Sequence, residues 1–124
     1  MENVAALRHN LLELHKSLID AQRIRYERRR GRIETSGEFL GLVLNHKDFE
    51  WIRSLSALIA RLDEWAEEPH ESDAEFGGIV QALRALIQPN GPNPTFNAPY
   101  WEMVEKEPDV TVAHVKVWRL VDSA

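Results

Sequence analysis

Apolar residues return every three or four positions along most of this chain, a spacing that predicts helices with one sheltered face. Val4, Leu7, Leu11, Leu14, Leu18 and Ala21 form one stripe, widened by Leu12, His15, Ile19 and Tyr26. His9, Glu13, Lys16, Asp20, Arg23 and Glu27 occupy the opposite face. The pattern predicts a helix over residues 3–30. Gly31 suits its end, because glycine enters the left-handed conformation without a side-chain clash.

Three further helices follow from the same period. Thr35 and Glu38 form a capping box, which opens a short helix over 36–44 carrying Phe39, Leu40, Val43 and Leu44. After a break at 45–48, with Asp48 as the expected N-cap, a helix over 49–67 places Trp51, Ile52, Leu55, Leu58, Ile59, Leu62 and Trp65 on one side. Pro69 is its expected stop. A second capping box, Ser72 to Glu75, opens a helix over 73–88 with Phe76, Ile79, Val80, Leu83, Leu86 and Ile87 inward. Gly77 and Gly78 weaken that helix by roughly 1 kcal/mol each against alanine, and leave room for a close neighbour.

The stretch PNGPNPTFNAP, residues 89–99, holds four prolines and an Asn-Gly pair. It predicts a long crossover loop, anchored by Phe96. The C-terminal segment offers two templates. Val110, Val112, Val115 and Val117 are β-branched and favour a strand, but strict alternation would turn His114 and Lys116 inward. Val110, Ala113, Val117, Leu120 and Val121 fit a helix, with Pro108 and Asp109 suited to its first turn. A lone strand would have no partner elsewhere, so a helix over 109–121 is the expectation.

The expected architecture is therefore all-α: a single domain over 1–124, with about four main helices, one short helix and a proline-rich crossover. Composition agrees. A chain of 124 residues, 44% hydrophobic and 28% charged, suits one soluble globular domain with its own core. The absence of cysteine excludes disulfides, thiolate metal sites and thiol catalysis, and fits a reducing, cytoplasmic setting. The N-terminal MENVAALRHNLLELHK does not read as a signal peptide, since Arg8 and Glu13 interrupt its apolar run. Apolar stretches such as 40–44 are far too short to span a bilayer, and no membrane association is expected.

Charge changes the picture most. The net charge is −5, yet six of the ten residues in RIRYERRRGR (23–32) are arginine: Arg23, Arg25, Arg28, Arg29, Arg30 and Arg32. On a helical wheel they surround the last two turns of the first helix rather than sharing one face. Part of this cluster complements the helix dipole, and the stems of Arg25 and Arg29 are suited to lie on the core edge. The remainder is a candidate surface for a protein partner, for self-association, or for nucleic acid or a phosphorylated ligand. An acidic chain without a recognisable nucleic-acid motif speaks against nucleic acid. Residues 63–75 hold seven acids and no lysine or arginine. Depending on the helix directions, the two blocks either neutralise each other or stand at opposite poles, an arrangement that favours head-to-tail association. Tyr100 and Trp101, beside the proline-rich stretch, are a second candidate partner surface, as an exposed aromatic ledge.

Catalytic signatures are missing. There is no Gly-x-Ser-x-Gly, no phosphate loop and no paired metal-ligand motif. Glu67 and His70 have a diiron-type spacing, but one such pair, interrupted by Pro69, does not make a centre. No cofactor or metal is expected. His15, among Leu11, Ile19 and Tyr26, reads as a core-edge histidine bonded to a neighbour. An enzyme would need a pocket between helices near His15, Tyr26 and Trp51.

The stretches LHKSLIDAQRIRYERRRG, FEWIRSLSALIARLDEW and EPDVTVAHVKVW resemble segments of a family of small, uncharacterised bacterial all-helical proteins. The likeness covers most of the chain. It implies an all-helical cytoplasmic protein and carries over no activity or site residue. The functional expectation is a non-enzymatic protein–protein interaction or regulatory module working through charged surface patches. A nucleic-acid or phosphate-ligand site and an inter-helical enzyme pocket stand as alternatives.

Overall fold

A computed structural model describes residues 2–68 and 73–122. Among them are seven helices and no strand: α1 (Glu2–Arg30), α2 (Ser36–Asn45), α3 (Lys47–Glu50), α4 (Arg53–Glu67), α5 (Ala74–Ile87), α6 (Pro94–Lys106) and α7 (Pro108–Asp122). Pro69, the Ser72 of the second capping box and the His70 paired with Glu67 lie outside the described residues.

α1 is the central rod. Leu7, Leu11, Leu14, Leu18 and Ala21 are buried, as their spacing requires. Its end follows the sequence: Gly31 has φ +95 and its N–H bonds the Glu27 carbonyl at 3.0 Å. Glu27 then accepts the N–H of Ile33 through Oε2 at 2.9 Å, tying the outgoing loop to the helix. Thr35 caps α2, its hydroxyl accepting the Glu38 N–H at 3.0 Å, while the Glu38 carboxylate reaches back to the N–H of Glu34.

The contacts of α1 with α4 and with the turn before it set their direction. Arg8 pairs with Asp63 at 2.5 Å, His15 Nε2 meets Ser56 Oγ at 2.7 Å, and the Trp51 indole N–H bonds Gln22 Oε1 at 3.2 Å. Rising numbers on one side meet falling numbers on the other, so the chain segments run antiparallel. Leu55, Ile59, Leu62 and Trp65 of α4 join Ile79, Val80, Leu83, Leu86 and Ile87 of α5 and the buried faces of α6 and α7 in one hydrophobic cluster. A smaller aromatic group lies beside it. Tyr26 packs edge-on to His46 at 5.3 Å and against Phe49, which also meets Phe39.

The structure corrects the expected path in three places. The predicted helix over 49–67 is split, with a turn at residues 51–52 between α3 and α4. Its cap is His46, not Asp48: His46 Nδ1 accepts the Asp48 N–H at 3.1 Å. The predicted crossover over 89–99 is a loop only as far as Asn93. From Pro94 onward it is α6, which makes five helices of 13 or more residues rather than about four main ones. Pro94 occupies the first helical turn, where its missing N–H loses no bond. Asn93 Oδ1 accepts the Phe96 N–H at 3.3 Å. Pro99 does remove one internal bond, and burial of Phe96, Tyr100, Met103 and Val104 outweighs that loss.

Candidate functional site

The antiparallel course of α1 and α4 separates the two charge blocks. Asp63 and the rest of the α4 C-terminus lie beside Arg8, near the start of α1. The arginines lie about 20 residues further along α1, roughly 30 Å away at 1.5 Å per residue. Among the described residues no ion pair joins the basic block to the acidic one.

The six arginines divide into two sets. Arg25 is only a quarter exposed and holds Glu102 at 2.9 Å and Glu107 at 3.5 Å, clamping α1 to the α6–α7 junction. Its hydrogen bond, with the charge of Lys106 adding to it, holds the Glu102 carboxyl below the usual carboxylate range. Arg29 pairs with Asp48 at 2.9 Å, bracing α3. Arg23 lies 3.6 Å from Glu27 and sets its guanidinium over the Phe39 ring at 4.5 Å. That last contact places α2 alongside the final turns of α1. Arg28, Arg30 and Arg32 are exposed and have no ion-pair partner among the described residues.

The helix that follows them in the chain, α2, is apolar and has no fully buried residue. In α2, Leu40 and Leu44 are each 58% exposed, one turn apart on the same face. Gly37 and Gly41 share that face, and nothing lies within 4 Å of where their Cβ atoms would stand. The arginine end of α1 thus connects, through Arg23 and Phe39, to a helix with a bare apolar ridge. The leucines were visible in the sequence, but their period there promised a buried face. Only the tertiary structure leaves them outside.

Tyr100 and Trp101 are corrected as an exposed ledge. Tyr100 is fully buried and its hydroxyl shares a 2.5 Å hydrogen bond with His114 Nδ1. Burial pushes the Tyr100 phenol up and the His114 imidazole down, so both are neutral around pH 7. Trp101 is half-buried. Its indole N–H donates to the carbonyls of Ile87 at 3.1 Å and Gln88 at 3.3 Å at the end of α5, the second of which also accepts the Gly91 N–H at 3.2 Å. Asn97 Nδ2 serves Leu86 and Gln88 in the same way, at 3.2 and 2.8 Å. These side chains join α5 to α6.

His15, bonded to Ser56, is a core-edge histidine whose pKa is lowered by burial. Four grooves open on the surface of the described residues with neither His15 nor Tyr26 in their lining, and Trp51 lines one of them. One, about 570 Å³, runs between α1 and α7 past Glu13, Ile24 and Val112. Another, about 390 Å³, is lined by Gln22, Arg25, Arg28 and Arg29. No group of three metal-ligating side chains occurs among the described residues, and no described helix is long and apolar enough to cross a membrane.

No family model, curated protein or solved structure matches the chain.

Proposed function

We propose that this protein is a docking module, non-enzymatic in itself, that binds an acidic protein surface through its arginine pole. The observation that carries this reading is the exposure of Arg28, Arg30 and Arg32, without an ion pair among the described residues, at the end of α1 that Arg23 links through Phe39 to α2, the helix of the exposed Leu40 and Leu44. Cations steer an acidic partner and set its orientation, while two leucines in the rim of a protein interface add apolar area that a phosphate backbone would leave unused. This is the reason to prefer a protein over nucleic acid or a phosphorylated ligand.

The test is fluorescence anisotropy with two labelled probes: an amphipathic helical peptide built from leucine and glutamate, and a single-stranded oligonucleotide. The peptide binds wild type, and binds more weakly to R28Q/R30Q/R32Q and to L40S/L44S. Equal peptide binding by all three proteins, or oligonucleotide binding in its place, overturns the reading.

A further inference from the structure

Exposed charge of both signs survives at the two ends of one rod. At the far end, Glu64 and Glu67 of α4, Asp73 before α5 and Glu75 in its first turn are exposed, with no ion pair among the described residues. Asp63, held by Arg8, does not belong to this set. At the near end stand Arg28, Arg30 and Arg32. The acidic end also carries Gly77 and Gly78, both exposed, with nothing within 4 Å of a Cβ at either position. The first turns of α5 therefore present a low surface on which bulky side chains of a neighbour can rest.

We propose that the protein associates with itself head to tail, the arginine pole and α2 ridge of one copy docking on the acidic pole of the next. This rests on the docking reading above and names its occupant. A two-fold dimer through the arginine poles would set Arg28, Arg30 and Arg32 against their own copies, whereas a head-to-tail contact sets them against Glu64, Glu67 and Glu75. Leu40 and Leu44 then meet the glycine surface of α5. Such a contact is heterologous: each copy keeps one pole unused, so association continues rather than stopping at two. The poles lie at opposite ends of the antiparallel pair formed by α1 and α4, and the row extends along that axis. The attraction acts across short distances. It weakens as salt shortens the screening length from about 10 Å at 0.1 M to about 3 Å at 1 M.

Sedimentation velocity tests this with two variants neutralised at one pole each: R28Q/R30Q/R32Q and E64Q/E67Q/E75Q. Wild-type protein shows a mean mass that rises with concentration past the dimer and falls with added salt. Each variant alone is monomeric. Their mixture forms a dimer and goes no further, because each supplies one working pole and one dead one. Wild type that stays monomeric at every concentration overturns the proposal, as does a mixture that fails to pair. So does a dimer that both variants retain. If wild type is monomeric while the leucine–glutamate peptide still binds and discriminates the arginine variant, self-association falls and the docking reading stands. If the arginine variant binds that peptide as wild type does, the docking reading falls first.

Discussion

The Tyr100 hydroxyl and the His114 ring nitrogen Nδ1 meet at 2.5 Å inside the core, joining α6 to α7. His114 lies between Trp101, edge-on at 4.9 Å, and Trp118, stacked at 6.1 Å. Both partners are cut off from water, so each depends on the other. Tyr100→Phe keeps the ring and its stacking on Phe96 but leaves a buried nitrogen without its partner. The expected loss is about 1–3 kcal/mol, measured as a lower urea midpoint with an unchanged slope.

Stability falls on mild acidification. His15 and His114 have pKa values below 6.5 in the folded chain because burial disfavours the imidazolium. Below that value the unfolded chain binds protons that the folded chain does not yet accept, so stability rises with pH across this window. The effect is complete above 6.5 and ends at the lowered folded values. Other groups around His114 do not compete for the proton there: Tyr100 stays a neutral phenol, and Trp101 and Trp118 do not titrate. Urea titrations at pH 7.5 and at about pH 5.5 should show the loss, and His15→Gln should reduce it.

The junction between α5 and α6 is sensitive to small changes. Asn97→Ala strips the Leu86 carbonyl of its side-chain partner, while Gln88 keeps the N–H groups of Gly91 and Trp101, and the expected cost is about 1–3 kcal/mol. Gly91→Ala drives a methyl group into the Ala85 carbonyl oxygen and against Asn97 Nδ2, so the turn must shift. An overpacking cost of about 1–3 kcal/mol is expected. Thermal unfolding of the two variants checks both values.

Leucines of similar appearance in the sequence should differ sharply when truncated. Leu14 is wholly buried, and Leu14→Ala should cost about 2–5 kcal/mol. Leu40 and Leu44 face solvent, so L40S/L44S should stay within about 0.5 kcal/mol of wild type while weakening association. A large loss of stability in L40S/L44S would mean that α2 belongs to the core.

Much of the fold is readable from the chain alone. The 4-7-11-14-18-21 spacing of α1 needs no tertiary information, and neither does its stop at Gly31, whose positive φ suits a residue without Cβ. The valine-rich C-terminus is likewise the helix its period predicts, with Val110, Ala113, Val117 and Val121 buried. Local signals compete at two places. Prolines at 94 and 99 suggest a loop, yet the first fits a helix start, and the second is carried by the apolar burial around it. His46 shows the same limit: histidine is an uncommon cap, and only the path of the loop brings its nitrogen to the Asp48 N–H.

The candidate site was half readable. The six arginines are plain in the sequence, but a helical wheel cannot tell that Arg25 is engaged by Glu102 and Glu107, or Arg29 by Asp48. Sequence by itself determined that the chain is helical, that α1 is sheltered along one flank, and that two opposite charge blocks exist, because periodicity and composition are local properties. The tertiary structure decided that those blocks stand at opposite ends, that Tyr100 is internal, and that Leu40 and Leu44 are not. Those outcomes depend on which helix lies against which and in what direction, and that is set by the summed burial of distant residues rather than by any one stretch of chain.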